Sequence, residues 1–249
     1  MTRLLLLTCA PALAWAQFNV QLSPKTTSAF LQYQKTAENE FTWKARYAQI
    51  RPGEVKIDPV KGNGSTQVAN GLVHDWVAAT LVRNTSVDAV LGVLRNYPAY
   101  KTVYAPETID ATVISHNASQ WRIGLKLRKT KVITVVLNGE FDVEYRELAP
   151  GRWSMTSRST RMAEVEDDRE LPQGTGYGFL WRLNAYWLIE QRPEGVYMEC
   201  RSLSLSRDLP FLLAPILRPF VTAVPKESLQ QTMDATVRAL RGERPSVAQ

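Results

Sequence analysis

Proton transfer near neutral pH is the natural work of histidine. This chain of 249 residues holds two, His74 and His116. Neither sits in a metal-ligand spacing. There is no HxH, no HExxH and no cysteine pair, so no metal site is expected. The cysteines are Cys9 and Cys200, too far apart in type of segment to suggest a CxxC or a disulfide framework. His74 is followed by Asp75, but neighbours in a strand point to opposite faces, so they form no direct dyad. His74 shares its face with Trp76. It reads as a polar anchor or general base facing a cavity, or as a hydrogen-bonded core histidine. His116 precedes Asn117-Ala118-Ser119 and reads as a loop residue.

A second group is Arg182, Asn184 and Tyr186, which alternate on one face of a strand. Its other face carries Tyr177, Phe179, Trp181, Leu183 and Trp187. A few polar groups in an apolar wall are the usual make-up of a small-molecule site. A solvent-facing row is the alternative. The polar segment Ser157 to Glu166 offers Arg158 or Arg161 as an inward cation for a carboxylate or phosphate, or an outward charged ladder paired with Arg182 and Glu199. No GxSxG, Walker A or GxGxxG is present, and no catalytic residues are assigned. No cofactor is expected.

The elements that must position these residues follow from periodicity. Gly71 to Val82 alternates as a strand covered on both faces. Thr85 or Ser86 caps a helix with Val87, Val90, Leu91 and Leu94 in one stripe and Asp88 in its first turn. Pro98 ends it, and Tyr97, Tyr100 and Tyr104 follow. A strand block runs from Thr108 to Asp208. Basic Arg122, Lys126 and Arg128 and acidic Glu140, Asp142 and Glu144 lie on alternating positions, as expected of neighbouring antiparallel strands. Lys129-Thr130-Lys131 is preferred as their turn, because it gives strands of more equal length than Asn138-Gly139. Two long strands, Tyr177 to Gln191 and Gly195 to Asp208, close the block. The terminal helix begins at Pro225 and carries Leu229, Met233, Thr236, Val237 and Leu240. Ser28 to Trp43 is expected to be helical, followed by a connector rich in turn signals.

Residues 1–16 read as a secretory signal peptide, with Arg3, Leu4 to Leu7 and the small-x-small site Ala14-Trp15-Ala16. The expected location is therefore periplasmic or secreted. The expected organisation is a signal peptide over 1–16, a helical extension and connector over 17–65, one domain over 66–242, and a disordered tail over 243–249. A net charge of +6 lacks the dense clustering of a nucleic-acid binder, so no nucleic-acid partner is expected. Lys126 to Lys131 reads as a solvated, ion-paired sheet face, with peripheral membrane contact as the alternative. Phe211 to Val224 is apolar and broken by Pro215 and Pro219. It reads as the start of the terminal helix, a lid or a membrane contact.

Strand, helix, about six strands and a long terminal helix is an order that resembles the START-like helix-grip superfamily, also called SRPBCC or Bet v 1-like. Gly71-Leu-Val-His-Asp-Trp, Leu127-Arg-Lys-Thr-Lys-Val-Ile-Thr-Val-Val-Leu, Ser157-Arg-Ser-Thr-Arg-Met-Ala-Glu-Val-Glu, Gly178-Phe-Leu-Trp-Arg-Leu-Asn-Ala-Tyr-Trp and Pro225-Lys-Glu-Ser-Leu are similar to a bacterial branch of it. The resemblance covers roughly residues 50–240. It implies an α+β fold in which a curved antiparallel sheet of about seven strands wraps a long C-terminal helix around a cavity. It further implies noncatalytic binding or transport of a hydrophobic or amphipathic small molecule, a lipid above all. A cyclase or hydrolase with His74 or Tyr186 as acid or base, and an envelope interaction module without ligand, are the alternatives. The candidate ligand-binding residues are His74, Trp76, Tyr104, Arg182, Asn184 and Tyr186.

Overall fold

The computed structural model describes residues 20–131, 134–208 and 223–243. The expected leader, most of the Phe211 to Val224 stretch and the tail beyond 243 lie outside them. The chain runs β1 (Val20–Gln21), α1 (Pro24–Glu40), β2 (Val55–Pro59), β3 (Ser65–Val68), β4 (Gly71–Val82), α2 (Val87–Arg95), a 3-10 turn at Tyr97–Ala99 and α3 (Tyr100–Val103). Then come β5 (Thr108–Asn117), β6 (Gln120–Thr130), β7 (Thr134–Ala149), β8 (Arg152–Glu166), β9 (Arg169–Glu170), β10 (Thr175–Gly176), β11 (Arg182–Arg192), β12 (Gly195–Arg207) and α4 (Val224–Leu240).

Ten strands make one sheet in the order β2-β4-β12-β11-β8-β7-β6-β5, with β3 beside β4 and β9 beside β8. Every ladder in it is antiparallel. Seven strands are long, as the sequence suggests, and three short ones are added at the margins. The turn between β6 and β7 follows Thr130, which pairs with Thr134. Asn138-Gly139 lies inside β7 instead. A Cβ on Gly139 would stand 2.7 Å from the Phe141 ring and 2.8 Å from Met162 Sδ, so this glycine serves close packing rather than a turn. The basic and acidic strands are neighbours, with Arg122 Nη2 3.2 Å from Glu140 Oε2.

Each face of the sheet is covered by a helix. On one face lies α4, with Leu229, Met233 and Val237 buried against β4, β12 and α2. On the other lies α1. It starts earlier than expected, at Pro24, because Ser23 caps it: Ser23 Oγ accepts the Thr26 amide at 3.1 Å. Phe30 and Ala37 of α1 pack on Val73, Leu203, Leu205 and Tyr186. The connector is not outside the domain either. Its β2 joins the sheet beside β4, and Ile50 packs on Ala79, Leu81 and Leu188. The boundary expected at residue 66 therefore separates no independent unit, since the strand before it is hydrogen-bonded into the same sheet.

The joint between α1 and the sheet is a buried ion pair. Arg201 of β12 grips Asp75 of β4 with both prongs, Nη2 to Oδ2 at 2.6 Å and Nε to Oδ1 at 2.8 Å. Their side chains are 6% and 3% exposed. Arg201 Nη1 also donates to the carbonyl of Ala37 at 3.1 Å, near the end of α1, where carbonyls lack helical partners. Tyr33 donates to Asp75 Oδ2 at 3.1 Å. Removing one partner of such a pair strands the other charge, at about 3–5 kcal/mol. Asp75→Ala is expected to lower unfolding free energy by about that amount in urea titrations, and Asp75→Leu with Arg201→Met to recover most of it. A loss below about 1 kcal/mol in the single variant would show that the pair does not hold α1.

Candidate functional site

The alternation of β12 sorts its side chains. Tyr197, Leu203 and Leu205 pack on the α1 side, where Arg201 is also paired. Met198, Cys200, Ser202 and Ser204 face α4. On β11 the same rule sends Leu183, Ala185 and Trp187 towards α4 and Arg182, Asn184 and Tyr186 away from it. Between this face and α4 lies a cavity of about 270 Å³. Its apolar wall comes from Leu94, Tyr97, Phe141, Val143, Met155 and Trp187, and α4 contributes Val224, Leu229 and Thr232. Leu125, Leu127, Phe179, Leu180 and Leu183 also line it while only half-buried.

Tyrosines brace one side. The Tyr97 and Tyr145 hydroxyls lie 2.9 Å apart, and Tyr145 and Tyr100 both donate to the Leu94 carbonyl, at 2.8 and 2.6 Å. Tyr104 meets Thr236 Oγ1 of α4 at 3.1 Å. Thr236 Oγ1 donates to the Thr232 carbonyl at 2.8 Å, so Tyr104 is the donor in the first bond. Burial raises Tyr97 and Tyr104 to about 12 and lifts Tyr100, Tyr145 and the Cys200 thiol as well. All of these groups are neutral at physiological pH. Charged residues gather at another part of the lining, where Lys129 is paired with Glu107. Lys131 Nζ reaches Glu227 Oε1 of α4 at 2.8 Å. Of the basic run from Lys126 to Lys131, Lys129 and Lys131 are thus ion-paired, while Lys126 and Arg128 have no ion pair among the described residues.

His74 lines the cavity, but both its nitrogens are already taken. Nδ1 is 2.9 Å from Ser65 Oγ, and Nε2 is 2.9 Å from Ser206 Oγ. Ser206 Oγ donates to the Arg207 carbonyl, so it accepts from Nε2–H, and Nδ1 accepts from Ser65. Burial pushes the imidazole down to about 4. This is a neutral strut tying β3, β4 and β12 together. Tyr104 lines the cavity with its hydroxyl committed to α4. Trp76 is 9% exposed and packs in the same core, between Gly64 and Lys226, without lining the cavity.

Arg182, Asn184 and Tyr186 belong to the opposite face, which corrects their expected place in the pocket. Tyr186 donates to Glu38 Oε1 of α1 at 2.6 Å, and Arg158 Nε reaches the same oxygen at 2.8 Å. Asn184 Oδ1 accepts the Ser159 amide at 3.2 Å. Arg182 Nη1 donates to the Trp181 carbonyl at 3.0 Å. The physical reason is α1, which covers this face and supplies partners that a single-sided sheet would lack. Trp181 is corrected too. Gly178 has φ +72° and interrupts the extended chain, so β11 begins only at Arg182 and Trp181 joins Phe30 and Tyr186 rather than Trp187. Neither Arg158 nor Arg161 faces the cavity, since Arg161 pairs with Glu170. Sequence reasoning missed Ser157, Ser202 and Ser204. The signal was the alternation Arg201-Ser-Leu-Ser-Leu-Ser, which reads as leucines inward and serines to solvent when one face is assumed wet.

No family model matches the sequence, and no curated protein does. Solved structures are similar. A STAR-related lipid transfer protein from Xanthomonas axonopodis is 16% identical with a TM-score of 0.49, over 72% of this chain and 99% of that one. The Zhui aromatase/cyclase of a Streptomyces species is 12% identical with a TM-score of 0.49, over 68% and 94%. The human StarD13 lipid transfer and protein localization domain is 11% identical with a TM-score of 0.48, over 88% and 98%. By its own geometry the fold is a large antiparallel sheet with a long terminal helix laid against one face.

The buried histidine makes a pH prediction. Its folded value, about 4, lies below the ordinary 6.5. Above pH 6.5 both states are neutral and the stabilisation is complete. As pH falls towards 4 the unfolded chain takes up a proton that the folded chain refuses, and up to about 3 kcal/mol is lost. His74→Gln is expected to flatten the stability slope between pH 6.5 and 4, read from denaturant titrations at several pH values. An unchanged slope would rule out the neutral strut.

Proposed function

We propose that the chain binds a hydrophobic or amphipathic small molecule, a lipid or a lipid-like compound, in the cavity between the sheet and α4, without transforming it. The observation that carries this is an apolar cavity of about 270 Å³ whose lining tyrosines, cysteine and histidine are all held neutral. The volume is just below the ~300–1,000 Å³ of typical small-molecule sites. Half-buried leucines around it add apolar surface that a ligand would cover, and burial of that surface supplies the driving force. The lining side chains that could act as acid or base are tied to protein partners or displaced from useful pKa values, which favours carriage over turnover. We place this activity in the cell envelope, periplasmic or secreted, on the strength of the leader-like residues 1–16.

Native mass spectrometry of the protein from its own host, followed by solvent extraction, is expected to reveal one co-purifying lipid-like molecule per chain. Ala185→Phe, which projects a ring into the cavity floor, is expected to abolish that adduct at a stability change of about 1–3 kcal/mol. An empty protein from which no lipid displaces a bound apolar dye would sink the carrier reading. Edman sequencing of the exported product is expected to start at Gln17, and a retained Met1 would overturn the export reading.

A further inference from the structure

The cavity wall changes character along β12. Met198 and Cys200 are fully buried and belong to the apolar core, and the next two residues on that face are Ser202 and Ser204. Strand register brings a third serine beside them. Ala185 of β11 is paired with Ser202 on one side and with Ser157 of β8 on the other. Ser157, Ala185 and Ser202 thus form one cross-strand row, and Ser204 stands one step on, opposite Leu183 and His74. The floor here is made of small side chains, while Trp187, Phe141 and Met155 stand tall beside it. Among the described residues no hydrogen bond engages the hydroxyls of Ser157, Ser202 or Ser204, although Ser204 is only 5% exposed. A buried polar group normally has a partner. Ser157 and Ser202 are half-buried, and the three unengaged hydroxyls on the wall of one cavity form a polar site open to a partner from outside the protein.

The surroundings say what kind of partner. Arg201 and Glu199, which alternate with these serines, belong to the other face and are engaged there by Asp75 and by the Arg46 amide. The His74 nitrogens are both occupied. Lys226 is exposed, stands 5.6 Å from the Trp76 ring centroid and does not line the cavity. Arg128, which has no ion pair among the described residues, and the paired Lys129 and Glu107 line the same cavity from the far end of β6. The Ser157 row crosses β7 at Val143 and β6 at Trp121, and from there to Lys129 is roughly 26 Å of strand. An anion at the serines would be desolvated with no cation beside it in the strand register.

We infer that the polar group of the cavity's ligand is uncharged, a hydroxyl, ketone, ester or amide held against Ser157, Ser202 and Ser204, with its apolar part running along Trp187, Phe141 and Tyr97. The inference rests on the cavity being a ligand site. Each hydroxyl both donates and accepts, so the patch suits alcohols and carbonyls alike.

The test is displacement of Nile red, a neutral apolar dye, from the full chain at neutral pH by dodecane, dodecanol, methyl dodecanoate and dodecanoate. Dodecanol and the ester are expected to act at about tenfold lower concentration than dodecanoate. In S157A/S202A/S204A dodecanol is expected to weaken about tenfold, while dodecane shifts by less than about twofold. Each change removes a single oxygen, and the melting temperature checks the fold. Should the triple variant not fold, S202A alone is read for a smaller shift of the same selectivity. Dodecanoate as the tightest ligand, or equal weakening of dodecane and dodecanol, would overturn the headgroup assignment and leave the cavity standing. Failure of both dye and dodecane to bind would overturn the cavity reading and this inference with it.

Discussion

The rest of the molecule depends on the bidentate pair of Arg201 and Asp75. A strand has a period of two, so fixing one side chain fixes the faces of all the others. With Arg201 pinned to Asp75 and to the end of α1, Leu203 and Leu205 must pack under α1, and Cys200, Ser202 and Ser204 must face α4. A slip of one residue would put a guanidinium in the cavity and the serines under Phe30. Neither arrangement could be repaired by small shifts, because a buried charge without its partner costs several kcal/mol.

The same pair explains why α1 is part of the fold. The face away from α4 carries Asp75, Glu199 and Arg201, all at most 5% exposed. Such groups are tolerable only when their hydrogen bonds are complete. Residues near the start of the chain complete them. Tyr33 and the Ala37 carbonyl serve the Arg201 pair, and the Arg46 amide serves Glu199 at 2.8 Å. Glu164, opposite Leu137 and so on the α4 side of β8, is completed by the irregular segment before β11, taking the amides of Tyr177, Gly178 and Phe179 at 2.6, 2.8 and 3.3 Å. Burial raises its pKa, and those three bonds oppose the rise. The polar residues away from α4 thus serve architecture, while the face with the less conspicuous residues borders the cavity.

That inversion sets what was legible in the sequence. Gly71 to Val82, the Ser86-capped α2 and the Leu229, Met233, Thr236, Val237 stripe of α4 were all readable, because each follows from local periodicity and capping. The β6–β7 pairing was readable from opposite charges. The cavity residues were not. Tyr104 and His74 line the cavity, but their polar atoms are spent on Thr236, Ser65 and Ser206, partners that are distant or inconspicuous in sequence. Arg182, Asn184 and Tyr186 looked like a pocket because polar atoms beside aromatics look like a pocket. Only the position of α1 shows that they face Glu38 and its neighbours. A helix whose partner face lies over a hundred residues away leaves no local mark of what it covers.

Why the space under α4 stays open follows from where the helix is held. Tyr104 reaches Thr236 in its later turns, Gln231 Nε2 meets the Ala105 carbonyl at 3.5 Å, and Glu227 meets Lys131 near its start. Between these ties Trp187, Phe141 and Tyr97 act as pillars, while the floor is Ala185 and serines. Larger residues at the floor would convert the same scaffold into an ordinary packed core, with gains from dispersion and from apolar burial. The protein forgoes that stability at this floor. It keeps the interior there small and neutral, so a guest meets little charge to desolvate, and apolar contact supplies its affinity. The hydroxyls then act by discrimination, since a guest that cannot bond them leaves buried polar atoms unpaired.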